Sequence, residues 1–293
     1  MEKSEIWTVQ KVLNWTVAYF TSKQIPEPRL SAELLLAHAL DCKRIELYLQ
    51  FERTLSPREL AAYRAGIQRR AQREPVQYIL GMSEFMGLPF KVTPAVLIPR
   101  PDTEVLVDCA IEYLKRAGIP APRILDVGAG SGCIAVSLAK SFPAAEVWAV
   151  EKSPPALQIA RENAAANGVE IRFWETDFFA DFPGREAQFH LLVTNPPYVA
   201  DSDWETLQPE VRRFEPAEAL RGGPDGLAFY RQLAPLLPEM LAPGAAAMLE
   251  TGYNQARAVA ALLEEQQLAT EIRKDYQQIE RVVIGRRGGK DKG

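Results

Sequence analysis

From Arg123 onward, short runs of apolar, β-favouring residues alternate with stretches of helical spacing. This alternation constrains the fold more than any other feature, because parallel strands need a long, usually helical crossover between them. It predicts strands over residues 124–127, 146–151, 170–176, 190–194 and 245–250. Helices are expected over 133–140, 154–167, 227–240 and 256–265. Two further strands, 268–275 and 281–286, lie close enough to pair as an antiparallel hairpin at the sheet edge. The fold class is therefore α/β, with a mostly parallel sheet and an antiparallel edge strand.

The fourth of these strands, Leu191-Leu192-Val193-Thr194, ends abruptly in Asn195-Pro196-Pro197-Tyr198. Neither proline has an N–H for a sheet ladder, so the chain must leave the sheet there. The result is a stiff platform at the carboxyl end of a strand, where open α/β sheets bind ligands. It offers the Asn195 amide, backbone carbonyls and the Tyr198 ring. Two acceptors gripping both N–H bonds of a planar NH2 group would aim its nitrogen at an electrophile, with an aromatic ring on its flat face. Taken alone, the tetrad also fits an ordinary proline-rich turn, and the surrounding residues must decide.

The first strand of the alternation runs into Asp126-Val127-Gly128-Ala129-Gly130-Ser131-Gly132. Glycines let such a turn bend tightly and approach a ligand. Glu151 closes the next strand, where a carboxylate can accept from ribose hydroxyls. The third glycine comes too early for the dinucleotide pattern G-x-G-x-x-G. Asp126 stands where it could meet an ammonium group, directly or through water. Together these features suit S-adenosylmethionine better than a pyrophosphate. Phe178, just after the third strand, either packs on the adenine or is a core aromatic.

Residues 1–75 read as a small helical bundle. Val9, Val12, Leu13, Val17 and Phe20 recur at helical spacing, as do Leu30, Leu34, Leu35, Leu36 and Leu40. Ser56-Pro57-Arg58-Glu59 is a capping box that opens a third helix. Arg58, Arg64, Arg69, Arg70 and Arg73 make that segment basic. A solvated face is the plain reading; a face through Arg64, Arg69 and Arg70 that docks a substrate protein is the sharper one. Residues 76–98 read as a β-hairpin linker, 99–287 as the catalytic domain and 288–293 as a disordered tail. Pro101, Asp102 and Glu104 open a helix that runs to about Gly118.

The net charge of −4 argues against a strong sequence-independent grip on nucleic acid. The three scattered cysteines form no disulfide or metal spacing and suit a reducing cytoplasm. His38 and His190, the two histidines, read as packed residues. No apolar run is long enough for a membrane helix, and the first residues do not read as a secretory leader. A monomer is the default.

These residues resemble a family. A glycine turn of this kind with Asn-Pro-Pro-Tyr after the fourth strand looks like the amino-methyltransferases. Ser83–Leu88, Leu97–Glu104, Phe214–Leu220, Gly223–Leu227 and Lys274-Asp275 with Arg281-Val282-Val283 narrow it to the bacterial peptide chain release factor glutamine methyltransferases (HemK/PrmC type). The resemblance spans essentially the whole chain. It implies a Rossmann-like class I methyltransferase sheet behind a helical substrate-recognition domain. It also implies methyl transfer from S-adenosylmethionine, leaving S-adenosylhomocysteine, to the side-chain amide nitrogen of glutamine in the Gly-Gly-Gln motif of class I release factors. By position, Gly128, Ala129, Gly130, Ser131, Gly132, Glu151, Phe178 and Asn195 would line the cofactor. Asn195, Pro196, Pro197 and Tyr198 would hold the glutamine, with Asn195, Pro196 and Tyr198 acting in catalysis. The family often carries Asp at Glu151, Trp at Phe178 and Tyr at Met86; none of these departures removes a chemical role. An N6-adenine nucleic-acid methyltransferase could use the same tetrad, and a non-catalytic binding module would bind cofactor yet label nothing.

Overall fold

The computed structural model describes residues 6–289. The opening residues 1–5, read as no secretory leader, and residues 290–293 of the expected tail lie outside that span. The chain divides into two units, Met1–Gly81 with Gln208–Phe214, and Met82–Leu207 with Glu215–Gly293. Among the described residues no helix is long and apolar enough to cross a membrane.

In the first unit, helices α1 (Val9–Ser22), α2 (Pro28–Ala39), α3 (Pro57–Ala71) and the short α4 (Val76–Leu80) enclose a core of Leu13, Phe20, Leu36, Tyr63 and Ile67. The capping box of α3 forms as expected: Ser56 Oγ accepts from Glu59 N, and Glu59 accepts from Ser56 N at 2.8 Å. The basic stretch of α3 is not a uniformly solvated face. Arg70 is buried and donates to Ser31 Oγ at 3.3 Å and to Glu210 Oε1 at 3.1 Å. Arg73 reaches the same carboxylate oxygen at 3.2 Å, and Arg69 grips Glu74 with two bonds. Arg58 and Arg64 remain exposed. His38 is also exposed on the last turn of α2 rather than packed.

The second unit begins with the antiparallel pair β1 (Met82–Phe85) and β2 (Leu88–Lys91). Their turn residues Met86 and Gly87 both have positive φ, 51° and 69°, which matches the right-handed twist of a hairpin. Then follow α5 (Pro101–Ala117), β3 (Arg123–Val127), α6 (Cys133–Ser141), β4 (Glu146–Glu151), α7 (Pro154–Ala166), β5 (Arg172–Glu175), β6 (Phe189–Thr194), β7 (Leu241–Glu250), β8 (Ala269–Lys274) and β9 (Glu280–Arg286). The sheet order is β5-β4-β3-β6-β7-β9-β8. The first five are parallel; β9 runs antiparallel to β7 and carries β8 at the edge. The expected helix over 227–240 is broken. It forms Ala228–Leu233, a 3-10 turn Ala234–Leu236 and Leu237–Met240, because Pro235 and Pro238 each remove a donor from the helical ladder.

Apolar residues fill both faces of the sheet, with Leu106, Ile124 and Leu138 on one side and Leu125, Leu192 and Leu249 on the other. Asn163 of α7, 1 % exposed, ties three elements together. It accepts from Lys91 N at 2.7 Å and donates to the carbonyls of Lys91 and Ser131 at 3.0 and 2.8 Å. The hairpin, α7 and the glycine turn are thereby held to each other.

The Arg70–Glu210 pair makes the first unit sensitive to loss of one partner. Removing one member of a buried pair leaves the other charge uncompensated and typically costs about 3–5 kcal/mol. Glu210→Ala is expected to destabilise the helical unit by that order, read from urea unfolding of the full chain. An unchanged profile would show that the pair contributes nothing.

Candidate active site

A cleft opens at the carboxyl ends of β3, β4 and β6. Its floor is the glycine turn. Gly128 N and Ala129 N donate to the Val150 carbonyl at 2.9 and 3.1 Å, which straps the turn to the end of β4. Gly130 has φ +55°, and a Cβ built there would meet no protein atom within 4 Å. The missing side chain therefore leaves room for a ligand. Gly132 does not line the cleft; with φ +79° it caps α6 and lies against Ala160 of α7, so its role is packing.

Glu151 is oriented before any ligand arrives. Its Oε2 accepts from Gly130 N at 2.9 Å and its Oε1 from Ser153 N at 2.8 Å. Each oxygen keeps a lone pair for a further donor, as two ribose hydroxyls would require. Asp126 differs. It is fully buried and outside the lining; Oδ2 accepts from Ala135 N in the first turn of α6 at 3.1 Å, and Oδ1 has no partner among the described residues. Burial raises its pKa to about 7, with nearby Glu151 adding to the rise and the Ala135 N–H opposing it. Phe178 is a core aromatic, buried against Phe179 and Phe182, and it also lines the cleft.

Asn195, Pro196 and Pro197 of the tetrad form one wall. Thr194 Oγ1 donates to the Val127 carbonyl at 2.7 Å, which locks the start of the tetrad to the start of the glycine turn. Asn195 Nδ2 donates to Thr103 Oγ1 at 2.9 Å. Among the described residues, neither Asn195 Oδ1 nor the Pro196 carbonyl has a protein donor. Asn195, Pro196 and Pro197 line the cleft together with Gly128, Ala129, Gly130, Ser131, Glu151 and Phe178. Tyr198 lies outside that lining. Its carbonyl accepts from Gln255 Nε2 at 2.8 Å, and its hydroxyl donates to Glu250 Oε1 at 3.4 Å. Burial, and next the Glu250 charge, raise the Tyr198 pKa. Glu250 is itself wholly buried; desolvation raises its pKa to about 7, opposed first by the Thr103 hydroxyl and then by Arg281.

Several site residues were not singled out by sequence reasoning. Arg100 and the loop before it form the roof, pinned by Glu215, whose carboxylate pairs with Arg100 and accepts from Ile98 N at 3.2 Å. Thr103, Glu218 and Phe229 complete the wall. The signal lay in the stretches Leu97–Glu104 and Phe214–Leu220, which carried a resemblance but no assigned chemistry. The charged lining residues are Arg100 and Lys152 against Glu151, Asp177 and Glu218. An acidic balance suits a cationic, ribose-bearing ligand such as S-adenosylmethionine and disfavours a pyrophosphate, and the open cradle at Gly130 gives such a ligand its place.

Comparisons with known proteins place the chain in a family. Residues 11–81 match the PrmC N-terminal domain family, and residues 103–214 match the methyltransferase small domain family. A release factor glutamine methyltransferase of Geobacter sulfurreducens is 49% identical over 288 residues, covering 98% of this chain and 99% of that protein. One from Chlorobaculum tepidum is 44% identical over 290 residues, covering 96% and 98%. Among solved structures, a T. thermophilus 16S rRNA N2 G1207 methyltransferase in complex with AdoMet and guanosine shares the fold. Its TM-score is 0.51 at 21% identity, over 70% of this chain and 49% of that one.

The raised Glu250 carboxyl has a measurable sign. Its pKa rises from 4.5 to about 7 on folding, so the folded chain binds the extra proton in that window. Its contribution to stability therefore falls as pH rises from about 4.5 to about 7. Glu250→Gln removes this slope. The melting temperature of the variant minus that of the wild type should be more positive at pH 8 than at pH 5; an equal difference at both would contradict the buried carboxyl.

Proposed function

The chain belongs to the release factor glutamine methyltransferases, and from that premise we propose that it methylates the side-chain amide nitrogen of the glutamine in the Gly-Gly-Gln motif of class I release factors. The observation that carries the reading is the pair of acceptors, Asn195 Oδ1 and the Pro196 carbonyl, left without protein donors beside the glycine turn and Glu151.

S-adenosylmethionine, when bound, supplies a methyl group already activated on a sulfonium. Glu151 would accept from the ribose hydroxyls, the turn Gly128–Ser131 would let the backbone approach closely, and Phe178 would pack on the adenine. Asn195 Oδ1 and the Pro196 carbonyl would accept the two N–H bonds of the substrate amide and fix its nitrogen. Tyr198 would bear on the amide plane. Positioning of this kind supplies much of the rate when the electrophile is already activated. Attack makes the amide nitrogen acidic, so its proton can leave to water afterwards and no strong general base is needed. The products are N5-methylglutamine and S-adenosylhomocysteine.

We read the partner as a protein rather than a nucleic acid, from the net charge of −4 and the acidic balance of the lining. A monomer acting in the cytoplasm completes the proposal, with residues 1–75 as the substrate-recognition domain.

The test is incubation with labelled S-adenosylmethionine and two substrates, a release factor and its Gln→Ala variant in Gly-Gly-Gln. Label is expected on the first only. Asn195→Ala should lower turnover by roughly 100-fold while cofactor binding survives at least in part. Label on neither protein, or wild-type turnover in the variant, would sink the assignment.

A further inference from the structure

Asn195 can serve the reaction in one orientation of its amide only. With Oδ1 toward the substrate it accepts an N–H bond. Rotated by half a turn it would present its own NH2 to the NH2 of the incoming glutamine, donor against donor. The tetrad's prolines cannot decide between the two, because they constrain the backbone and not this side-chain torsion. Something behind Asn195 must therefore read nitrogen from oxygen.

Thr103, in the first turn of α5, is the group in that place. It is 2 % exposed, and its Oγ1 accepts from Asn195 Nδ2 at 2.9 Å. A hydroxyl could in principle bond either end of an amide, since it both donates and accepts. Its choice depends on where its own proton goes. Glu250 is the acceptor at hand: it ends β7, Tyr198 of the tetrad already reaches it, and the Thr103 hydroxyl opposes the burial-driven rise in its pKa. Glu250 Oε2 is fully buried and accepts from no donor among the described residues, while Oε1 accepts from Tyr198 at 3.4 Å. Arg281, a cation that acts on Glu250, is already engaged by Asp102 and Asp275 at 3.2 Å each. Glu250 thus keeps acceptor capacity for Thr103.

We propose that Thr103, backed by Glu250, is the positioning residue that sets the orientation of the Asn195 amide, with its hydroxyl proton drawn to Glu250 and its lone pair turned to Asn195 Nδ2. Both residues sit at fixed points of the scaffold. Thr194 pairs with Leu249 across β6 and β7, so Glu250 stands level with Asn195 at the ends of adjacent strands. Thr103 arrives from α5, and the Arg281–Asp102 ion pair joins the start of that helix to β9. The inference rests on the reading of the tetrad as the grip on glutamine.

The test is a double-mutant cycle on the full chain, with release-factor methylation and cofactor affinity measured separately. Thr103→Val keeps the shape and removes the hydroxyl. It should lower kcat by roughly 10- to 100-fold, the range for one buried hydrogen bond left unmade, with cofactor Kd unchanged within about twofold. Thr103→Ser, which restores the hydroxyl, should recover most of the loss. In an Asn195→Ala background, Thr103→Val should cost nothing further, because no amide remains to orient. A merely structural threonine would give losses that multiply in the double variant, and that outcome overturns the proposal. So does wild-type kcat in Thr103→Val, or a Thr103→Ser enzyme as slow as Thr103→Val. If the wild-type chain itself leaves the release factor unlabelled, the functional reading fails first and independently of the cycle.

Discussion

The site depends on four parallel strands ending at one level. Asp126 of β3 is in register with Ala149 of β4 and Val193 of β6, and Thr194 of β6 with Leu249 of β7. Parallel strands direct all their carboxyl ends to one edge of the sheet. The chain leaves β3 for β4 and β5 on one side, then returns to lay β6 and β7 on the other. At such a reversal the loops part and leave a crevice. Glu151 and Glu250 close two of those strands, and the glycine turn and the tetrad follow the other two. The Thr194 hydroxyl on the Val127 carbonyl keeps the two halves of the crevice from sliding apart.

This arrangement gathers carboxylates in a place where water is scarce, and the chain handles each one differently. Glu151 at the cleft takes backbone donors from Gly130 and Ser153, which orient it without neutralising it. Asp126 and Glu250 are buried behind the cleft, and desolvation lifts each to about 7. Asp126 is turned to account as a partner for the first turn of α6. Glu250 faces hydroxyls rather than a dedicated cation, because Arg281 is shared with Asp102 and Asp275. A buried carboxylate so poorly compensated destabilises the fold. Its place beneath Tyr198 and Thr103 gives that cost a function.

The helical unit follows a different logic. Its core is apolar, but Glu210, distant in sequence, supplies the carboxylate for Arg70 and Arg73. A run of arginines on one helix therefore serves packing as well as solvation. Sequence spacing alone has no means of telling the two apart, since the counter-charge lies 140 residues away.

Local chemistry made much of the molecule legible from its residues. The strand–helix alternation, the proline stop after Thr194, the capping box at Ser56 and the early third glycine each act within a few residues, so each can be read without knowing the fold. What the sequence could not specify is which of these features face each other. Pro235 and Pro238 interrupt the helix expected over 227–240, because neither has an N–H for the helical ladder. Gly132 belongs to the glycine turn in sequence, but in the fold it lies against Ala160 of α7. Thr103 and Glu215 lie in stretches that carry a resemblance but no chemistry of their own, and Glu250 lies in none. They matter because the tertiary structure brings α5, the segment at 215 and the end of β7 against the tetrad. The sequence by itself determined the kinds of group available and the turns that present them. Only the tertiary structure decided the orientation of the Asn195 amide, because a side-chain torsion is set by what lies behind it.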